Sequence, residues 1–558
     1  MDNKTIASRF TLLSRIMEIH GENTFKTRAY STAAFQLERA PLPLSEMPPE
    51  DIARMKSIGP AIAQKIQDLL QTGRLPLLEQ YLEKTPPGIL EMLSIKGIGP
   101  KKIATIWKTL GIETPGELLY ACTENRLLLY KGFGAKTQEN IRQAITFYLD
   151  NQGLQLYGTV APAATLLLQQ LRDMFPNAVA AWTGAFRRQA EILDQLEIVI
   201  SEPVSVLQDR LKESFQQVTL NGDTLLIQAK ELPPLHVHSC SPEQFARTLF
   251  FSTGPEPFIT AFQQQFPEAA AAQPDTEAVF FQKAGLPDIA PALRDRETIL
   301  ADAAAGPLPQ LIRPEDIRGI VHAHTQWSDG ADTLEAMATA ARDKGYEYLV
   351  VSDHSRSAFY ANGLQPERIR AQHEAIDELN EKLAPFRLFK SIEADILPDG
   401  QLDYPDDILA TFDLVIASVH SNLKMDEQKA MQRLLRAVEH PFTTILGHPT
   451  GRLLLSRPGY PVDHHRLIEA CAAHHVVLEI NAHPRRLDVD WRWIPYALEK
   501  GVLLSVDPDA HSIDGMELVR YGVLAAQKGG LSRERNLSSF SLPELTDFLR
   551  TQRQQKQG

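Results

Sequence analysis

Cysteine is scarce in this sequence: Cys122, Cys240 and Cys471 lie far apart among 558 residues and are odd in number. This excludes a disulfide framework and a metal cluster built from cysteines. The sequence also lacks an apolar run of about 18 residues, the length that a bilayer-spanning helix needs. Its start, MDNKTIASRF, lacks the basic stretch and apolar core of an export signal. We therefore expect a cytoplasmic protein with no membrane partner.

Basic residues are fewer than acidic ones, with a formal net charge of -13, but the charge is unevenly distributed along the chain. Residues 1–150 carry 19 Lys+Arg against 16 Asp+Glu, which leaves 38 against 54 for the remainder. The N-terminal part is therefore the better candidate for contacting nucleic-acid phosphates, although so small a surplus also fits a solvated surface. The length itself exceeds what one hydrophobic core supports, and we expect four or five domains.

The chain changes character along its length. The first 150 residues have apolar residues at helical spacing, with short Gly/Pro breaks. Mixed helices and alternating strands follow, such as LEIVIS (Leu196–Ser201) and TLLIQA (Thr224–Ala229). An Ala- and Pro-rich stretch, including ILADAAAGPLP, then precedes the last part of the chain. This pattern predicts helical domains, a small α/β domain, a connector and a final domain that begins near Pro314.

Seven apolar runs alternate with helical patterns after Pro314, and they are GIVHAHT, YEYLVVSDH, LFKSIEADI, FDLVIASVH, TTILGHP, VVLEINAHP and LLSVDPDAH. Such alternation is typical of parallel strands joined by crossover helices. Seven units in this length predict a closed or slightly distorted TIM-like (βα)7 barrel. Active sites of such barrels collect where strands end, and the polar residues of these runs lie there.

Residues suited to binding metal follow these strands: His322, His324, Asp329, His354, Glu393, His420, His448, Asp509 and His511. Because residues two apart on a strand share a face, we expect His322 with His324, and Asp509 with His511, each to hold one ion. Nine ligands predict two or three divalent ions, and mixed imidazole and carboxylate ligands suit Mn, Zn or Fe. Any single histidine could instead be an ordinary core or surface residue, and His483 could contact substrate at the mouth.

The motifs VHAHTQWSDG, VSDHS, IEADILPDG, SVH, GHPTGR and DPDAHS resemble the polymerase and histidinol phosphatase (PHP) family across the whole last domain. The resemblance implies a trinuclear centre built from the nine residues, with Glu393 bridging ions. It makes Glu393, Asp329 and Arg452 the catalytic candidates, with Arg452 holding substrate phosphate, although a surface salt bridge would explain this arginine equally well. Bound ions would activate water toward phosphorus, so no covalent enzyme intermediate is expected.

Three N-terminal segments, SIGPAIAQKI, KGIGPKKIATI and KGFGAKTQENI, resemble helix-hairpin-helix DNA-binding motifs. Their glycines allow a phosphate to approach the N-terminus of the following helix, in contacts that would not depend on base sequence. The first segment departs from the pattern, with Ser57 in place of a glycine. The expected DNA-binding residues are Gly59, Gly97, Gly99, Lys101, Lys102, Gly132, Gly134 and Lys136.

With GENTFKTRAYSTAA ahead of them, these motifs resemble a bacterial family X DNA polymerase fused to a PHP domain, along essentially the full chain. The palm stretch TGAFRRQAEILDQLEIVIS keeps a glycine and two arginines of that family, Gly184, Arg187 and Arg188. Its metal-binding aspartates align with Gln195, Glu197 and His236, which offer one carboxylate where two Mg ions need several. Polymerase activity is therefore expected to be lost. Lys65 matches a lysine that forms a Schiff base with abasic sugar in the family, although a lysine on a helix surface is the ordinary reading.

The resemblance implies the following domains: 1–80, an N-terminal helix-hairpin-helix domain; 81–152, a fingers-like helix-hairpin-helix domain; 153–232, a degenerate palm; 233–300, a thumb-like domain; 301–316, a linker; and 317–558, the PHP domain. Our hypothesis is a monomeric, DNA-binding, metal-dependent 3′-5′ exonuclease that acts in DNA repair on 3′ ends of gapped or single-stranded DNA. Three alternatives stay open: an active family X polymerase, a small-molecule phosphatase of the histidinol phosphatase kind, and a DNA-binding scaffold without activity.

Overall fold

The computed structural model describes residues 1–40, 42–124, 126–228 and 232–557. The chain folds as two compact units, Met1–Gln152 and Gly153–Gly558, and each is described by itself. Within the described ranges, no helix is both long enough and apolar enough to cross a membrane.

The first unit is helical. Its helices are α1 (Asn3–His20), α2 (Thr24–Glu38), α3 (Pro49–Arg54), α4 (Pro60–Thr72), α5 (Pro76–Glu83), α6 (Pro87–Ser94), α7 (Pro100–Lys108), α8 (Pro115–Thr123) and α9 (Ala135–Asp150). Helix α1 begins where Asp2 accepts a hydrogen bond from the Thr5 amide, and it ends at Gly21 in the left-handed conformation.

One hydrophobic core runs through this unit from Ile6 to Ile145. The domain boundary expected between residues 80 and 81 falls inside α5, and Arg15 on α1 donates to the Leu93 carbonyl at 2.9 Å, across that boundary. One hydrophobic core therefore spans the expected boundary between the two helical domains.

The second unit opens with a five-stranded mixed sheet in the order β2-β4-β7-β6-β5, beside a short β1–β3 pair. The strands are β1 (Gln155–Leu156), β2 (Ala180–Thr183), β3 (Ile192–Leu193), β4 (Leu196–Ile200), β5 (Val218–Asn221), β6 (Thr224–Ile227) and β7 (Leu235–Ser239). The two expected strands are present, ending at Ile200 and Ile227, while Ala229 lies outside the described residues. Alternate residues of β4 and β7, such as Ile198 and Val237, are fully buried.

Helices of the second unit before its barrel are α10 (Tyr157–Met174), α11 (Gly184–Arg187), α12 (Val204–Ser214), α13 (Phe245–Thr253), α14 (Glu256–Gln265), α15 (Pro267–Ala270), α16 (Ala278–Lys283) and α17 (Ile299–Ala305). A phenylalanine-rich core, with Phe250, Phe262 and Phe280 at its centre, holds the later ones together. Helix α17 buries Ile299, Leu300 and Ala303 in this core. The linker expected from residue 301 therefore starts inside a packed helix.

Seven parallel strands follow in sequence order, β8 (Gly319–Ala323), β9 (Tyr348–Val351), β10 (Arg387–Asp395), β11 (Leu414–Ser418), β12 (Ile445–Leu446), β13 (Val477–Asn481) and β14 (Leu504–Asp507). A parallel bridge between Ala323 and Ala510 joins the first strand to the last and nearly closes the sheet. The predicted seven-stranded, distorted TIM-like barrel is thus confirmed, and its strands all end at one rim.

The helices that surround the barrel are α18 (Leu334–Asp343), α19 (Pro366–Leu383), α20 (Asp406–Leu409), α21 (Glu427–Glu439), α22 (His464–Ala473), α23 (Ile494–Glu499), α24 (Val519–Gly529) and α25 (Leu542–Gln557). The barrel also packs against the earlier part of its own unit. Lys528 on α24 donates to Asp295 at 2.5 Å and to the Arg188 carbonyl at 2.9 Å.

Candidate metal centre

All nine residues expected to bind metal lie together at the carboxyl rim of the barrel. Glu393, on β10, is at their centre and is almost fully buried. One of its oxygens lies 3.0 Å from His448 Nε2, 3.1 Å from His420 Nε2 and 3.3 Å from His322 Nε2. The other lies 2.9 Å from His354 Nδ1. A single carboxylate therefore reaches ligands from several strands, which is the geometry of a bridging ligand.

The donor atoms of eight of the nine residues form three groups, each within 4.8 Å: site A (His324, Asp329, His354, His511), site B (His322, His324, Asp509) and site C (His354, Glu393, His420). His448 lies outside these groups and contacts the cluster through Glu393. Ligands about 2.1 Å from a tetrahedral ion lie roughly 3.4 Å from one another. The separations match this spacing: His324 Nε2 is 3.1 Å from Asp509 Oδ1, and His511 Nε2 is 3.5 Å from Asp329 Oδ2.

Buried nitrogens at the centre support the fit to divalent ions. His322 Nε2, both ring nitrogens of His324 and His354 Nδ1 are shielded from solvent and form no hydrogen bond within the described residues. Three of these nitrogens lie 2.9–3.3 Å from a carboxylate oxygen without hydrogen-bonding geometry, as two ligands of one ion do. Zn, Mn and Fe all accept imidazole and carboxylate donors.

Two of the donors, His324 and Asp329, already have the protonation state that metal binding needs. Burial and the nearby His354 and His511 lower the pKa of His324 to about 3, so its ring stays neutral. Burial acts to raise the pKa of Asp329, but a hydrogen bond with His511 and the charge of His354 lower it to about 2. A neutral imidazole and an ionised carboxylate are the forms that ligate metals. Burial acts to lower the pKa of His420 and of His511, but neighbouring carboxylates raise these pKa values to about 10 and about 9, so an ion must displace a proton from each of these rings.

A second set of carboxylates, which the sequence analysis did not identify, orients these ligands. Glu479 on β13 accepts from His322 Nδ1, and Asp395 on β10 lies 2.5 Å from His420 Nδ1. Asp353 accepts from the Thr325 amide and hydroxyl, both at 2.8 Å, and so fixes the loop that carries Asp329. A charged residue at an inward position of an apolar strand, as in VVLEINAHP, was the available signal for Glu479.

Asp509 and His511, expected to hold one ion together, fall in different groups, although His511 Nδ1 lies 3.6 Å from Asp509 Oδ1. Asp509 has φ +52°, outside the extended conformation for which the strand rule holds. Its carboxylate instead joins His322 and His324 in site B, whereas His511 joins site A and stacks on His324 with ring centroids 4.2 Å apart. His322, at φ +64°, is held in the same unusual region.

Arg452, expected to hold substrate phosphate, is engaged elsewhere. It donates to Asp490 at 2.5 Å, to the Arg486 carbonyl at 2.8 Å and to the Leu487 carbonyl. Its guanidinium therefore braces a loop, and the geometry does not support a phosphate-binding role. Arg486 is better placed, because its Nε lies 3.8 Å from Asp509 Oδ2. His483 is not in any of the three groups, and its Nδ1 accepts from the Arg485 amide at 3.2 Å.

The positions aligned with the polymerase aspartates also lie close together. Glu197 on β4 pairs in register with His236 on the parallel β7. Burial acts to raise the pKa of Glu197, but hydrogen bonds with His238 and Gln195 lower it. The site thus offers one carboxylate with imidazole neighbours, and Asp194 is exposed. The retained arginines are bound as well: Arg187 pairs with Glu277, and Arg188 lies 2.8 Å from Asp295.

Gly59, Gly99 and Gly134 are the N-cap residues of helices α4, α7 and α9, and the same kind of turn precedes each helix. A Cβ at any of these glycines would meet no described atom within 4 Å, so internal packing does not require them. The residue two positions before each of these glycines has positive φ: +66° at Ser57, +95° at Gly97 and +96° at Gly132. Lys101 and Lys136 are exposed and Lys102 is half-buried. Lys65 places its amine 3.3 Å from a carbonyl of its own helix.

Comparisons with known proteins agree with this geometry. Residues 1–75 match the model of a helix-hairpin-helix domain, and residues 89–146 match that of a SAM-like helix-hairpin-helix tandem. The DNA polymerase/3′-5′ exonuclease PolX of Bacillus subtilis is 32% identical over 575 aligned positions, covering 99% of this chain and all of the relative. The chain belongs to the PolX family.

Other relatives of this PolX chain cover a smaller part of it. A probable phosphatase of Caldanaerobacter subterraneus is 30% identical over 169 residues, 29% of this chain and 60% of the relative. A probable phosphatase of Thermoanaerobacter sp. is 28% identical over 205 residues, 34% of this chain and 77% of the relative. These matches fall on the barrel part of the chain.

Proposed function

We propose that this PolX chain is a DNA-binding 3′-5′ exonuclease that hydrolyses phosphodiesters with two or three divalent ions, Mn, Zn or Fe. The observation that carries the proposal is the ring of nine donors centred on the buried carboxylate of Glu393. Divalent ions bound there would supply water activation and neutralise charge on the phosphate.

The exposed side of the centre is where substrate enters. Glu393 is 1% exposed, while the side chains of Asp329 and His511 in site A are 31% and 41% exposed. The scissile phosphate therefore meets the centre at site A, and the buried carboxylate fixes the sites behind it. Arg486 supplies a cation beside Asp509, suited to the phosphate oxygens of the strand.

The substrate proposal rests on the first unit. Gly59, Gly97, Gly99, Gly132 and Gly134 leave helix N-termini open, and Lys101, Lys102 and Lys136 add positive charge beside two of them. Such contacts bind DNA backbone of any sequence and position its end. We infer action on 3′ ends of gapped or single-stranded DNA in repair, by a cytoplasmic monomer.

We also propose that nucleotidyl transfer is lost. Two Mg ions need several hard carboxylate oxygens, and Gln195, Glu197 and His236 supply one acidic side chain. The ion pairs of Arg187 and Arg188 leave neither guanidinium free for a triphosphate. The palm and thumb regions then serve to hold DNA rather than to extend it.

A 5′-labelled single strand tests the nuclease. With Mn, the wild type is expected to shorten it stepwise from the 3′ end, and His324→Ala is expected to abolish the shortening because His324 belongs to both site A and site B. His465→Ala, an exposed histidine on α22, is the matched control and should retain activity. Equal activity of wild type and His324→Ala would refute the proposal.

A small-molecule phosphatase is the second candidate, because the two probable phosphatases match the barrel. Hydrolysis of p-nitrophenyl phosphate and of the labelled strand can be compared on the same enzyme. We expect a far higher kcat/KM for the strand. The reverse order would favour the phosphatase.

A further inference from the structure

Two neighbouring aromatic rings stand in solvent beside the metal centre. Phe359 and Tyr360 lie in a loop that joins β9 to α19, and they are 84% and 71% exposed. The residues on either side of them are anchored: Ala358 and Ala361 are each 1% exposed. The loop therefore buries its small residues and presents its two largest ones outward.

The loop is held in this shape by hydrogen bonds. Ser355 pairs with Leu364 as a parallel bridge across its base, and the Gly363 amide donates to the Ala358 carbonyl at 3.1 Å. Gly363 is tightly enclosed, because a Cβ there would lie 1.8 Å from the Ser355 carbonyl oxygen. Ser357 Oγ donates to Asp395 at 2.7 Å, the same carboxylate that orients His420. The loop that carries the rings is thus joined to the metal centre through Asp395.

Tyr360 lies directly next to that centre. Its ring centroid is 6.2 Å from that of His354, which belongs to sites A and C. Its ring therefore lies within about one nucleotide length of the donors that would face the phosphate.

Exposing two adjacent aromatic rings is unfavourable in water, since removing apolar surface from water is favourable. Bases of single-stranded DNA have apolar faces that stack on such rings without regard to sequence. A cation on the same rim, Arg486, is available for the backbone. The two rings would therefore contact the bases of a strand, and Arg486 beside Asp509 would contact its phosphates.

We propose that Phe359 and Tyr360 form a stacking platform that holds the unpaired terminal bases of a DNA strand whose last phosphodiester is presented to the metal centre. The inference rests on the proposed exonuclease function and adds the residues that select the substrate. Bases inside a duplex hide their faces from the platform, so the enzyme prefers unpaired 3′ ends over paired ones.

The test compares two single strands of equal length and charge, one with ordinary bases at its last two 3′ positions and one with tetrahydrofuran abasic residues there. Wild type should have a lower KM for the strand with bases. In Phe359→Ala/Tyr360→Ala that KM should rise about tenfold, the size of one stacking contact, while the KM for the abasic strand and the kcat values change little. Tyr360→Phe should retain the preference, because it keeps the ring.

Phe25→Ala removes a ring of equal exposure from α2 and should leave the preference for bases unchanged. A direct readout uses 2-aminopurine at the 3′ end, bound to the inactive His324→Ala protein. Its fluorescence should be quenched, and the additional alanines at both loop positions should restore it. Unaltered melting temperature and metal content would show that the loop variant is folded.

The possible failures are distinguishable. If the double variant keeps the wild-type preference, or loses affinity equally for both strands, the platform is wrong and the exonuclease stands. If the wild type degrades neither strand, the proposed function itself fails.

Discussion

Nδ1 of His322 lies 2.5 Å from Oε1 of Glu479, and both side chains are fully buried. The second oxygen of Glu479 accepts from the backbone amide of His448. One carboxylate therefore fixes the ring of one metal ligand and the backbone of another. Because this contact occupies Nδ1, it leaves Nε2 of His322 directed at the cluster, 3.3 Å from Glu393.

Glu479→Gln is expected to lower metal affinity about 10–100-fold, the usual effect of losing such a supporting partner. A neutral amide cannot stabilise the ring of His322 as a carboxylate does. The measurement is Mn-dependence of exonuclease activity, where the concentration for half-maximal rate should rise while the rate at saturating Mn falls less.

Glu469→Gln on α22 is the matched control, since Glu469 bonds to Tyr496 and Lys500 at the surface. It should leave the Mn titration unchanged. An unchanged titration for Glu479→Gln as well would show that Glu479 has no positioning role.

Ser57 occupies the turn position that glycine holds in the other two helix-hairpin-helix segments, and it adopts φ +66°. A side chain in this region costs about 1–2 kcal/mol relative to glycine. Ser57→Gly should therefore raise the melting temperature of the first unit and should not weaken DNA binding. Calorimetry of the full chain checks this, with Ser8→Gly on α1 as a helix-interior control that should be destabilised. A lower melting temperature for Ser57→Gly would contradict the strain assigned to Ser57.

Substitution of Arg452 should lower stability, whereas substitution of Arg486 should weaken substrate binding. Arg452→Ala removes a charged hydrogen bond to the mostly buried Asp490 and should destabilise the protein by about 2 kcal/mol. Arg486→Ala should leave melting nearly unchanged and raise the KM for DNA several-fold. Chemical denaturation and steady-state kinetics measure the two effects. The opposite assignment would return the phosphate-binding role to Arg452.

The palm is expected to have no polymerase activity. Primer extension with dNTPs and Mn should give no product, because one carboxylate cannot hold two ions. Glu197→Gln should therefore leave DNA degradation at wild-type level. Robust extension by the wild type, abolished in Glu197→Gln, would overturn the argument.

The barrel and the clustering of its ligands could be predicted because a metal-binding type of residue recurs at the end of most strands of the barrel. Each strand is a buried apolar run, and residues such as His354 and His420 follow it directly, where parallel strands share a rim. Which ligands share an ion could not be predicted. That depends on the positive φ of Asp509, and nothing in DPDAH specifies it.

Supporting residues were harder to find in the sequence. Asp395 and Glu479 lie within strands, and their role depends on which neighbouring strand supplies a histidine within hydrogen-bonding distance. The ion pair of Arg452 could not be located for the same reason, since its partner Asp490 is 38 residues away along the chain. The sequence also does not show that the helices of the first unit share one core, because amphipathic helices do not reveal which of them pack together.

Metal content measured beside activity tests the central claim most directly. Wild-type protein purified without chelator should contain two or three divalent ions per chain by elemental analysis, and dialysis against chelator should remove both the ions and the exonuclease activity. Re-adding Mn should restore the two together, and Glu393→Gln should retain fewer ions because its carboxylate reaches ligands of all three sites. Full strand degradation by ion-free protein would contradict the account.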